Sequence, residues 1–259
     1  MTLFEPLPLT TVGLLTSSLV VCAGTTLQVA TGVGLGLVAG PVLILSLQSE
    51  TAILVAIVLN LLVSVSLLPQ ERGEICWPPL RLLLYGTLLG VPLGWLVLQR
   101  IDAASLKLFT GVVVLGAAAQ LILAQRRIAA GEARESRLRT LIGGGFSGFM
   151  SGCLAIPGPV AMWTLLQQNA SPALVRATLR ALFVFSYGAA FAVHVGLGGG
   201  ALASWITVAA LLPALLVGVL LGGLVKRRVK EASLNLALRA LLLAMGLSLL
   251  WKGISDATA

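Results

Sequence analysis

Apolar residues in this chain come in long unbroken runs rather than in strict alternation. Residues 6–49, 51–69, 82–99, 108–125, 140–175 and 181–225 contain no Asp, Glu, Lys or Arg. A bilayer core about 30 Å thick takes about 20 apolar residues per helix. Several runs therefore match one span, and three are long enough for more than one element. The pattern predicts eight apolar elements, at about 11–47, 50–69, 79–99, 103–125, 139–168, 172–195, 203–225 and 232–251. Loops between them are short, and the longest polar connection runs from Gln125 to Thr140. The fold class this implies is an all-α polytopic membrane protein.

Composition strengthens that reading. The chain is 58% hydrophobic and 10% charged, with a mean hydropathy of +1.04, where a soluble domain carries about 25% charged residues. The net charge of +8 sits in short loops between apolar runs, as topology determinants do. No basic stripe interleaves with aromatics, so no nucleic-acid partner is assigned. The opening Met1-Thr2-Leu3-Phe4-Glu5-Pro6 has no positive stretch and does not read as a removable signal peptide. Cys22, Cys76 and Cys153 are too scattered for a disulfide framework or a metal site. No cofactor is expected.

An internal repeat is visible. Residues 93–106 (LGWLVLQRIDAASL) and 221–234 (LGGLVKRRVKEASL) agree at eight of fourteen positions. A weaker echo pairs Gly40-Pro41-Val42 with Gly158-Pro159-Val160, which would put a ten-residue length difference near Gly196–Ala203. The chain then divides into an N-terminal transmembrane repeat at 11–125, a basic linker at 126–139 and a C-terminal repeat at 140–253. Each half is one interrupted segment followed by three ordinary helices. If the interrupted segments enter and return on one side, fourteen of the 17 basic residues fall on one face, leaving only Arg100, Lys107 and Lys252 opposite. The positive-inside rule makes that face, with loops 126–139 and 226–231, cytoplasmic. Three crossings per half would invert the halves and put both termini outside, a recurrent transporter design.

The interrupted segments carry the candidate chemistry. The first holds Thr25, Thr31, Gly32-x-Gly34-x-Gly36 and Gly40-Pro41; the second holds Ser151-Gly152 and Pro157-Gly158-Pro159. Glycine weakens helix continuity and proline removes a donor. Broken backbone at membrane depth must be satisfied by protein or by a cavity, and half-helix N-termini suit an anion. The competing reading is close packing through small residues such as Gly144, Gly148 and Gly152. In the sixth element Arg176, Arg180, Tyr187 and His194 share one helical face. Arg180 lies about 12 Å inside its element and needs an anion or a helix carbonyl end, or else snorkels. His194 reads as a packing residue. No carboxylate lies deep in any apolar element, which argues against a cationic substrate. Trp77, Trp205 and Trp251 read as interfacial anchors, and Trp163 as a packing residue that could line a cavity.

The Gly-x-Gly stretch ending in Gly40-Pro41, the Arg72-Gly73-x-Ile75-x-Trp77 turn and the Leu93-Gly94…Arg100…Leu106 run resemble the sulfite exporter and sulfonate permease family, TauE/SafE. The resemblance covers roughly 11–253. It implies two four-segment repeats, no prosthetic group, and transport of sulfite, sulfonates or related organic anions, with the breaks at Gly32–Pro41 and Gly152–Pro159 flanking the substrate. The expected function is a secondary transporter of a small anion in the cell (plasma or inner) membrane. Its expected partners are that anion and the lipid bilayer, and a homo-oligomer is compatible with the sequence. The rival classes are a non-transporting subunit of a larger complex and a transmembrane thiol carrier using Cys22 and Cys153. With one His and no catalytic set, an enzyme is not expected.

Overall fold

The computed structural model describes residues 10–47, 49–70, 72–128, 136–167, 171–198, 202–229 and 231–258. The opening hexapeptide and residues 129–135 of the basic linker lie outside them, as does part of the proposed 196–203 length difference. The described chain is all α-helical apart from two short 3-10 turns. Where eight apolar elements are expected there are ten α-helices among the described residues, because both interrupted segments divide in two. The first half holds α1 (Thr11–Thr31), α2 (Leu35–Ser46), α3 (Ser49–Leu67), α4 (Trp77–Leu98) and α5 (Ala103–Ile128). The second holds α6 (Arg137–Leu154), α7 (Gly158–Leu166), α8 (Pro172–Gly198), α9 (Leu202–Arg228) and α10 (Glu231–Thr258). Each half thus reads as a broken pair and three long helices. The two segments that agree at eight of fourteen positions fall at the α4–α5 and α9–α10 junctions. Helix α5 runs on to Ile128 and α6 starts at Arg137, so the polar connection is shorter than 126–139.

Seven of the described helices (α1, α3, α4, α5, α8, α9 and α10) are long and apolar enough to cross a membrane. In each broken pair the second helix folds back along the first. Leu35 and Val38 of α2 lie against Gly24 of α1, and Thr164 of α7 lies against Gly143 of α6. The return arms are short: α2 has 12 residues and α7 has nine, about 18 and 14 Å.

The halves interlock. Helix α1 packs on α9 and α4 packs on α6. Along the second contact Gly86, Gly90 and Gly94 of α4 meet the backbone of Leu141, Gly145 and Phe149, while Gly144, Gly148 and Gly152 of α6 meet Leu83, Thr87 and Val91. Numbers rise together on both helices, so they run parallel. Gly218 and Gly222 of α9 meet Thr25 and Val29 of α1 in the same sense. By contrast α5 and α10 run antiparallel: Leu108 meets Gly253, Leu115 meets Gly246, and Lys107 pairs with Asp256. Apolar side chains on the outside, including Leu19, Leu89, Leu220 and Leu236, stay exposed, as lipid-facing surface does. Trp77 and Trp205 lie at or near the starts of their helices and Trp251 in the last turns of α10, all exposed, as interfacial anchors would be.

Candidate functional site

The first break is a tight reversal. Gly32 ends α1 at φ 91° and donates its N–H to the Gln28 carbonyl; the left-handed region is open to glycine without cost. Thr31 turns back on the chain, its hydroxyl donating to the carbonyls of Leu27 and Val33. Helix α2 then starts after Gly34. Its first N–H, from Leu35, is taken by the Gln28 side chain at 2.9 Å. The N–H groups of Gly36 and Leu37 belong to the same first turn, which has no acceptor within its own helix.

The second break follows Leu154. Ala155 caps α6 at φ 56°, a conformation that costs a non-glycine residue roughly 1–2 kcal/mol, so its surroundings must hold it. Tyr187 of α8 does so by donating its hydroxyl to the Ala155 carbonyl at 3.2 Å. The Ser147 hydroxyl donates to the Pro157 carbonyl, and Gln120 Nε2 to the Pro159 carbonyl, both at 2.7 Å. Pro157 and Pro159 carry no N–H, so α7 offers fewer free donors at its start than α2 does.

The two breaks meet. A Cβ placed on Gly36 would lie 2.8 Å from the Ala155 carbonyl oxygen, 3.1 Å from Tyr187 Oη and 3.5 Å from Asn60 Nδ2. One turn on, Gly40 faces Leu154 and Ile156, and Gly158 faces Val33 and the Phe183 ring. Asn60 and Tyr187 stand near the middles of α3 and α8, so the first turn of α2 meets the second break at mid-height between those two helices.

Of the residues singled out in the sequence, Gly36, Gly40, Gly158 and Tyr187 gather at this crossing. Gly32 lies against Arg176 and Gly34 against α1 in the reversal before α2, while Pro157 and Pro159 accept from Ser147 and Gln120 at the start of α7. Gly40 and Pro41 are not a break: they lie in the second turn of α2, and the break falls at Gly32–Gly34 instead. The helix starts match Gly158 with Leu35, so the Gly40-Pro41/Gly158-Pro159 echo pairs non-equivalent positions. Thr25 is buried against Gly218 in the α1–α9 contact, and Gly152 against Val91 in the α4–α6 contact. Ser151 reaches across to the Ser186 carbonyl at 3.4 Å. Trp163 is 45% exposed on α7 and does not line the crossing. Cys22 and Cys153 are free thiols in separate helix pairs.

The buried arginine has found a helix end. Arg180, 2% exposed, donates through Nη2 to the Val29 carbonyl in the last turn of α1 at 3.2 Å, where the helix carries its negative pole. The aliphatic stem of Arg176 lies over Gly32. His194 Nε2 sits 2.8 Å from the Gly152 carbonyl; that acceptor requires the Nε2–H tautomer and fits a packing role. The sequence did not single out Asn60, 1% exposed, or the capping role of Gln28. The signal for Asn60 was present: a lone amide in the middle of an apolar run. Among residues whose side chains are described, no carboxylate is buried, and no group of three His, Cys, Asp or Glu gathers as a metal site.

Long apolar helices around two broken ones that meet at mid-height define a polytopic helical membrane protein of transporter type. The model of the sulfite exporter TauE/SafE family matches residues 17–249, and the chain belongs to that family of membrane transporters. No match was found among curated proteins or among solved structures.

Proposed function

We propose that this protein is a secondary transporter that moves a small anion (sulfite, a sulfonate or a related organic anion) across the cytoplasmic membrane by alternating access. The observation that carries the reading is the meeting of the two breaks beside Asn60 and Tyr187, with the first turn of α2 opening there. A helix N-terminus at membrane depth favours negative charge, and the absence of a buried carboxylate among the described side chains leaves an anion unopposed. Substrate would sit between the breaks, and Arg180 would fix α1 from behind and add positive charge. The antiparallel run of α5 against α10 supports an inverted relation between the halves. We read the protein as a carrier and not as a catalyst.

Flux of sulfite and simple sulfonates into proteoliposomes, wild type against Arg180→Ala, tests this. Saturable uptake that other sulfur oxyanions inhibit, and that falls in the variant, is the expected result. If the purified wild type moves no anion, the carrier reading fails and the chain is better taken as a subunit of a larger complex.

A further inference from the structure

Five buried polar atoms among the described residues have no hydrogen-bond partner and no other recorded interaction: Ser17 Oγ, Thr25 Oγ1, Asn60 Oδ1, Ser64 Oγ and Ser186 Oγ. They are not equivalent. A buried serine or threonine hydroxyl on a helix can rotate to bond the carbonyl one turn back. The amide oxygen of Asn60 has no such escape, because it only accepts and the N–H groups of its own helix are already engaged. Its orientation is set as well. Asn60 Nδ2 donates to the Ala56 carbonyl at 2.8 Å, and the opposite flip would set two oxygens against each other. An orphaned buried acceptor costs about 1–3 kcal/mol.

Two kinds of group could satisfy that oxygen: a hydrogen-bond donor or a cation. The surroundings choose between them. Asn60 Nδ2 lies beside Gly36, in the first turn of α2, where the helix is positive and donors point outward. Arg180 contributes a further positive charge to the neighbouring end of α1. A cation would be repelled there. Because Oδ1 shares its amide carbon with the Nδ2 that lies beside Gly36, an anion held by the first turn of α2 and itself carrying a donor would answer both the N–H groups of α2 and the acceptor on α3.

We propose that Asn60 is a specificity-determining residue of this transporter and that its Oδ1 accepts a hydrogen bond from the substrate itself. The substrate class is then an oxyanion bearing a donor, either a protonated oxygen as in hydrogen sulfite or an ammonium as in an aminosulfonate. Fully deprotonated sulfate and plain alkyl sulfonates lack that donor. This deepens the anion-transport reading and rests on it.

The test is transport by the full chain in proteoliposomes, using two pairs of similar size that differ in the donor. Hydrogen sulfite against methanesulfonate asks about an O–H; 2-aminoethanesulfonate against propanesulfonate asks about an ammonium. Wild type is expected to favour the donor-bearing member of one pair by about 10-fold, the equivalent of one such hydrogen bond. Which pair shows it identifies the source of the donor. Asn60→Leu should level that preference while its thermal unfolding midpoint holds or rises, since an orphan acceptor has been removed. Should the leucine variant not fold, Asn60→Val, smaller and likewise without an acceptor, serves instead. Equal treatment of both pairs by wild type, or a preference that survives Asn60→Leu, overturns the proposal while leaving anion transport standing. Sodium-dependent flux whose sodium dependence is lost in Asn60→Leu also overturns it, by assigning the oxygen to a cation. Absence of flux for all four compounds instead removes the transport reading beneath it.

Discussion

Asn60 and Tyr187 approach the same glycine with opposite roles. Asn60 holds an unused acceptor, whereas the Tyr187 hydroxyl is spent on the Ala155 carbonyl. That bond pins the second break, where Ala155 stands in a conformation it does not favour. In Tyr187→Phe the buried carbonyl loses its partner, a loss of about 1–3 kcal/mol. The detergent-solubilised variant should therefore unfold at a lower temperature than wild type, with slower anion flux. An unchanged midpoint would mean that the second break does not depend on Tyr187. Tyr187 could be picked out from the sequence because it shares a helical face with two arginines. Asn60 is harder to pick out, since a neutral amide does not change any charge count and its importance lies in what its neighbours leave unsatisfied.

Helix contacts here are made by glycine seams, and these decide which glycines tolerate a side chain. A Cβ on Gly148 would press into the backbone of Thr87, while one on Gly116 meets nothing within 4 Å. Gly148→Ala must push α4 and α6 apart, a cost of about 1–3 kcal/mol from overpacking. Gly116→Ala removes only the glycine penalty inside a helix, a gain of about 0.5–1 kcal/mol. Thermal unfolding should move in opposite directions in the two variants; a shared direction would speak against the seam. The Gly144/Gly148/Gly152 stripe was legible as packing from its spacing. Its partner on α4, Gly86/Gly90/Gly94, has the same spacing, but a repeating stripe does not say which other stripe it meets. Pro41 misled for a related reason. A proline removes one donor wherever it stands, yet here the helix continues past it, and the chain reverses at Gly32, where a positive φ is required.

At the level of the whole molecule the two halves are not separate bodies. Helix α1 belongs to one half and packs on α9 of the other, and α4 does the same with α6. Helix α3 also packs on α9 and α8 on α4, so the contacts between the halves run through the middle of the molecule and not along a single seam. The class of fold could be read from apolar runs alone because length and composition set it. The interlocking could not, since it depends on contacts between residues far apart in the chain. Inversion lies between these cases: charge counting suggests it, and the geometry makes it testable. Because α5 and α10 run antiparallel, the junctions at which they begin should open on opposite faces of the membrane. The α4–α5 junction carries Arg100 and the exposed Gln99, whereas α9 ends in Lys226, Arg227 and Arg228, all exposed. By the positive-inside rule the denser positive charge is expected to put the second junction on the cytoplasmic side. With Cys22, Cys76 and Cys153 replaced, Gln99→Cys in intact cells should react with a membrane-impermeant maleimide. Arg228→Cys should stay protected until the membrane is opened. Labelling of both sites from the same side would be incompatible with inverted halves, and the reverse pattern would keep the inversion but turn the whole protein over in the membrane.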